Sequence, residues 1–323
     1  MFKYITPGVH LAKLSDGRQQ LLDALDTFIN QNEAEPIRIL CRLWKDQATV
    51  LTYPEIRQWI DSGQIDQSFI EQWRQDYSKA LTEAFAGLWL TAASEGFKAS
   101  APFQWLSDTD FVYKPQASGM AQWVTNHTAE LVTQVTSTQE QAIKDVCAMA
   151  IRDHISSSEM QYTIRPIVGL TGVQAKANAK YYTTVKEQLL KDHPRMKVEN
   201  AEKKARHKAQ MYAEKQQRYR AQTIARTELG NAYNQGAYDG VQDAISRGYI
   251  NPPKKRWVTA RGPHVCQHCE SLEGKIVEFN ESFDGGPFGL VDGPLLHPRC
   301  QCVLEFLKGD NTEDVGIQGF DSI

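Results

Sequence analysis

The sequence predicts a mainly α, multi-domain chain. Helical N-terminal and middle regions should lead into a small C-terminal α+β module with short strands and a Cys/His metal site. Three observations carry this prediction. Apolar residues recur at helical spacing through most of the first 250 positions. Helix-start signals stand at Thr52 and Thr171. Four of the six cysteines gather late in the chain, as Cys266-x-x-Cys269 and Cys300-x-Cys302, among strand-forming residues.

With 323 residues the chain has room for two or three domains. A composition of 41% hydrophobic and 23% charged residues excludes gross disorder and any collagen-like character. The start, MFKYITPGVHLAKLSDG, carries no signal-like apolar run, and no stretch approaches the roughly eighteen apolar residues of a membrane span. The expectation is a protein of a reducing compartment with a local metal site. Lone Cys41 and Cys147 would then be core residues.

In chain order, Leu21, Leu22, Leu25, Phe28 and Ile29 define a first helical face. Ile37 to Trp44 is apolar but of ambiguous type. Thr52 and Glu55 form a capping box with Pro54 in the first turn, and Ile56, Trp59 and Ile60 follow up to Gly63. A longer helix from about Gln67 to Phe97 presents Phe69, Trp73, Tyr77, Leu81, Ala84 and Leu88 to a core. Ser100 to Gly119 reads as a connection. A helix over Ala121 to Val135 is expected, then a second start at Ser137 and Glu140 leading to Ile143, Val146, Ala150 and Ile151. Thr171 caps a helix to about Leu190, broken by His193-Pro194. Val198 to Arg247 is polar and helix-favouring. A single helix of that length would run about 75 Å, so two helices with a break between Gln216 and Arg226 are expected. Strands are expected at Arg256–Ala260, Lys275–Glu278 and Cys302–Phe306. The resulting division is 1–115, a helical N-terminal domain; 116–197, a helical middle region; 198–250, a long basic helix or helix pair; 251–308, a zinc-knuckle-like module; and 309–323, a mobile acidic tail.

Net charge is −3 but unevenly spread. Residues 1–110 hold 10 Lys+Arg against 15 Asp+Glu, whereas 176–226 hold 14 against 5. The basic stretch is either a solvated helix surface or a face toward nucleic acid or an acidic partner, with Lys203, Lys204, Arg206 and Lys208 as candidate phosphate contacts.

Cysteines one or two residues apart in a tight turn can converge on one ion, and two such pairs complete the tetrahedron that structural zinc prefers. Five candidates compete for four positions: Cys266, Cys269, His297, Cys300 and Cys302. Either His297 supports or reacts beside the site, or one cysteine is spare. Two disulfides, or four metal-free buried thiols, are the alternative readings. Arg226, Glu228, Asn231 and Asn234 precede the module as candidate orienting groups, and Trp257 is expected in its core. His264 and His268 belong to the surface of the first Cys turn.

The order GLTGVQAKA, IARTELGNAYNQG, RWVTARGPHVCQHCESLEGKIV and HPRCQC resembles the phage Mu protein F-like family of minor head, or head-morphogenesis, proteins. The resemblance covers roughly residues 125–307. It rests on Arg226-Thr227-Glu228, Asn231, Tyr233, Asn234, Gly236, Trp257, Gly274 and the Cys/His framework. Each piece is weak alone; their order is the specific signal. The chain departs from the family pattern at Arg261-Gly262-Pro263, where an acidic residue is common, so no carboxylate role carries over there. The resemblance implies a minor structural component of a tailed-phage head, not an enzyme. It would meet the portal and the major capsid or scaffolding protein; non-specific contact with packaged DNA is what the basic stretch adds to that expectation. Its place would be the virion interior or portal vertex, and the host cytoplasm during assembly. The rival reading is a nuclease or transferase using His297 and Glu228.

Overall fold

The computed structural model describes residues 16–153, 155–260 and 265–308. Arg261, Gly262, Pro263, His264 and the tail from Gly309 lie outside the described residues. The described chain is mainly helical, with short strands confined to its C-terminal part. Ten α-helices run α1 Asp16–Asn32, α2 Ala34–Val50, α3 Tyr53–Ser62, α4 Gln67–Ala99, α5 Ala101–Trp105, α6 Gly119–Arg152, α7 Ser157–Ile167, α8 Gly172–Asp192, α9 Val198–Ser246 and α10 Gln267–Glu270. Five strands follow α9: β1 Lys254–Val258, β2 Ile276–Glu278, β3 Phe283–Asp284, β4 Leu290–Val291 and β5 Val303–Leu307. No described helix is long and apolar enough to cross a membrane.

The chain divides into two compact units, each assembled from separate stretches. The second unit comprises Ala34–Ala86 and Val124–Ala225. Its core holds Trp44, Trp73, Tyr77, Leu81 and Phe85, all fully buried. The Thr52–Glu55 capping box forms as the residues dictate, and α3 ends in left-handed Gly63 at φ 68°. Thr171 caps α8 in the same way, with Gln174 returning the bond. The C-terminus of α7 is closed from α9. Gln217 donates to the carbonyls of Pro166 and Val168, and Arg220 Nη1 donates to that of Gly169 at 2.7 Å. A cation and an amide thus satisfy carbonyls that the helix end leaves open.

The first unit comprises Met1–Glu33, Gly87–Trp123 and Arg226–Ile323. β2, β1 and β5 form an antiparallel sheet in that order, with Trp257 opposite Leu304, and β3 pairs with β4. The sheet's core continues into the helices. Trp257, Leu272, Phe279, Phe283 and Phe306 share one buried cluster with Phe97 of α4 and Val241 of α9. Gly236 and Gly240 make this packing feasible, because a Cβ on Gly236 would overlap Ala93 and one on Gly240 the Phe97 ring.

Ile37 to Trp44, whose type the sequence leaves open, is helical, inside α2. Two helix expectations need correction. Ser137 and Glu140 do not start a helix; α6 runs unbroken through them, and Ser137 Oγ donates back to the Thr133 carbonyl. The basic region also does not break between Gln216 and Arg226, since α9 is one helix of 49 residues. Length, with Gly230 and Gly236 inside the stretch, argued for a break, but burial decides otherwise. A line of small residues, including Ala205, Ala209, Ala213, Ala221 and Ala225, is buried along the whole helix.

Candidate metal centre

The Cys/His residues converge. Cys266 is the N-cap of α10, and its sulfur accepts from the Cys269 backbone N–H at 3.3 Å. That turn places Cys269 against the second group. Its Sγ lies 3.7 Å from Cys300 Sγ and 3.3 Å from His297 Nε2. Cys266, Cys269 and His297 bring their ligand atoms within 4.8 Å of one another, and so do Cys269, Cys300 and Cys302. Cys269 belongs to both sets. All four cysteines are buried and His297 is half-buried.

These separations fit a tetrahedral ion. Zinc–sulfur bonds of about 2.3 Å place two sulfurs about 3.8 Å apart, and a sulfur and an imidazole nitrogen about 3.6 Å apart. His297 is oriented for the role: its Nδ1 lies 3.0 Å from the Pro298 carbonyl oxygen. A carbonyl only accepts, so Nδ1 carries a proton and Nε2 is the nitrogen left facing the sulfurs. The electrostatics point the same way. The Cys300 sulfur pushes Cys269 well above the ordinary thiol range, while Cys269 holds Cys300 well below it. Hydrogen bonding to Cys300 pushes His297 up to about 9. Crowded sulfurs cannot all ionise without a counter-charge, and a divalent cation supplies one. The donor set fits zinc, with one donor more than four-coordination needs.

The loop bearing the second pair is fixed from outside. His297, Pro298, Arg299 and Cys300 make a tight turn closed by Cys300 N–H donating to the His297 carbonyl at 3.1 Å. Pro298 suits its second position, and Arg299 takes the positive φ, 62°, that the third position of a type II turn demands. The Arg299 N–H donates to Thr227 Oγ1 at 2.9 Å. Asn234 Nδ2 donates to the Cys302 carbonyl at 3.1 Å. Gly230 lies between them on α9, where a Cβ would stand 3.3 Å from the Leu295 side chain and in van der Waals contact with the Cys300 carbonyl. Thr227, Gly230 and Asn234 are spaced i, i+3, i+7, so one helix face carries the loop.

The neighbouring face of α9 binds α1. The Arg226 guanidinium reaches Asn30 and Glu33, each at 2.8 Å, and Asp26 at 3.0 Å. Asp26 also accepts from the side chain of Gln301, between the two cysteines of the loop, at 2.9 Å. Glu228 is buried and Asn231 half-buried on the same helix. Trp257 is fully buried, edge-on to Phe283 at 5.4 Å. His268 is half-buried, its ring against Phe288. Of the candidate phosphate contacts, Lys203, Lys204 and Lys208 are exposed, whereas Arg206 is half-buried and stacks 4.1 Å over the Tyr162 ring. Sequence reasoning missed Thr227 and Gly230 as loop supports. Their helical spacing with Asn234 was the available signal.

A family profile described as Phage Mu protein F like protein matches residues 141–305, just over half of the chain. No curated protein matches the chain, and no solved structure does.

Proposed function

The chain belongs to the Phage Mu protein F-like family, and from that premise we propose that it is a minor structural component of a tailed-phage head. In this reading it joins the procapsid through the portal vertex and the capsid or scaffolding protein, and remains in the virion interior through DNA packaging or ejection. A structural zinc held by four of Cys266, Cys269, His297, Cys300 and Cys302 staples the C-terminal module. When bound, the ion replaces mutual repulsion of the sulfurs with a shared attraction and closes the long loop between the pairs.

The observation that carries this reading is the convergence of all five donors onto Cys269 within the region the family profile matches. The protein's own residues prepare the site: Thr227, Asn234 and Asp26 hold the Cys300–Cys302 loop. The exposed edge of the module would then dock on a partner as a rigid piece. No observation favours the enzyme alternative. His297 is turned to Cys269, and Glu228 is buried within α9.

The test combines elemental analysis with particle assembly. About one zinc per chain is expected, with thiols protected until a chelator is added. Cys269→Ser should lose the metal and be absent from purified particles, while the wild-type chain is recovered in them. A metal-free protein with four reactive thiols would remove the zinc staple. A metal-loaded protein that never enters particles would remove the head assignment.

A further inference from the structure

The first half of α9 carries a line of cations that nothing in its own unit neutralises. Lys204, Lys208, Lys215 and Arg218 are all exposed. At about 100° per residue they fall within an arc of about 80°. At about 1.5 Å per residue they span about 21 Å of straight helix. Among the described residues none of the four has a carboxylate within ion-pair distance, whereas nearby cations do. Lys176 is paired with Asp145, and Lys186 with Glu159. Arg206, on a different face, is spent on Tyr162. Lys203 is exposed but sits about a quarter turn off the line. The acidic groups nearest in sequence are Glu202, which is off the line, and Glu214, which accepts from Gln210.

We infer that Lys204, Lys208, Lys215 and Arg218 form a contact stripe for the phosphate backbone of double-stranded DNA, read without sequence preference. DNA presents about one negative charge per 1.7 Å of axis, so a line this long meets many phosphates whatever the register. A protein partner would need an apolar centre to bury, and along this line Met211, with Tyr219 at its edge, offers little of one. Lysine is a mobile point charge suited to phosphates at variable positions. The biological partner, packaged DNA, rests on the head reading above; the contact itself does not.

The experiment measures binding of a fluorescent 30-base-pair duplex to the full chain by anisotropy across a salt series. It compares wild type with K204Q/K208Q/K215Q/R218Q. A second variant, K45Q/K79Q, removes two cations from the α2 and α4 surfaces and serves as control. The wild-type logarithmic salt slope should be near −3.6 if four phosphates are engaged. The stripe variant should bind at least tenfold more weakly at low salt with a shallow slope, and the control should match wild type. Circular dichroism checks that the stripe variant keeps its helix. No wild-type binding at low salt, or an equal slope in the stripe variant, overturns the inference. So does stripe-dependent binding of polyglutamate as tight as that of DNA, which would assign the face to an acidic protein. Particle incorporation separates the two readings. A stripe variant that enters particles but has lost DNA binding leaves both standing. Intact DNA binding without incorporation of the wild-type chain overturns only the head reading.

Discussion

Asn234 in α9 donates from Nδ2 to the Cys302 carbonyl at 3.1 Å and to the Gly230 carbonyl at 3.0 Å. One buried amide therefore ties the last candidate ligand to the helix. Asn234→Ala strands a buried carbonyl, a loss of about 1–3 kcal/mol. It also frees the Cys300–Cys302 loop to relax. Thermal unfolding should shift down, and thiol release on chelator addition should become faster. A variant as stable as wild type, with unchanged thiol kinetics, would show that the loop is held by the metal alone.

Arg226 answers three acceptors, Asp26 and Asn30 on α1 and Glu33 just after it, and its side chain is 12% exposed beside Glu33 at 17%. A planar fork can serve several acceptors at once; an ammonium cannot reproduce it. Partial exposure to solvent lowers the worth of such pairs. Arg226→Ala should therefore destabilise by about 1–3 kcal/mol, with Arg226→Lys recovering less than half. Denaturant titration of the three proteins measures this. Full rescue by lysine would mean that charge, not the fork, matters.

Gly236 offers a sharper contrast between local and tertiary effects. On propensity alone, Gly236→Ala should stabilise α9 by about 1 kcal/mol. The new methyl would overlap the Ala93 backbone of α4, which cannot swing aside as a side chain can. Forced packing of this kind costs about 1–3 kcal/mol or more. The expected net result is loss of stability, read by calorimetry. A gain would show that the two helices have room to separate.

How far the sequence revealed this follows from the range of the interactions involved. Capping is local, so Thr52–Glu55 and Thr171 were legible from four residues each. Thiol pairs are local too, and Cys266, Cys269, Cys300 and Cys302 announced themselves. The meeting of the pairs at Cys269 could be expected only from chemistry. The supports of the loop were illegible for a different reason. Thr227 binds a backbone N–H 72 positions away, and Arg226 reaches Asp26 across 200. No periodicity encodes such partners. The unbroken α9 was missed because its burial uses alanines, which carry little hydrophobic signal, and because length seemed to forbid it. The interleaving of two units from alternating stretches likewise has no signature in a reading along the chain.

Tyr77 gives the pH prediction. It is fully buried in the second unit, accepts from Trp44 Nε1 at 2.8 Å and donates to Gln139 Oε1 at 2.7 Å. Gln139 Oε1 also accepts the Gly169 N–H at 3.0 Å, so the phenol sits inside a connected polar network. Burial pushes its pKa up to about 12, against about 10 in an unfolded chain. Between those values the unfolded state releases the proton and the folded state keeps it. The contribution is whole below pH 10 and is lost as pH rises toward 12. Tyr77→Phe removes the acceptor of Trp44 and should cost about 1–2 kcal/mol near neutrality. It also removes this titration, so the gap between wild type and variant should narrow from pH 10 upward. Urea unfolding of both proteins at pH 8, 10 and 11 measures the gap. A constant difference would mean that Tyr77 ionises equally easily in both states, and that the network opens to water before the unit unfolds.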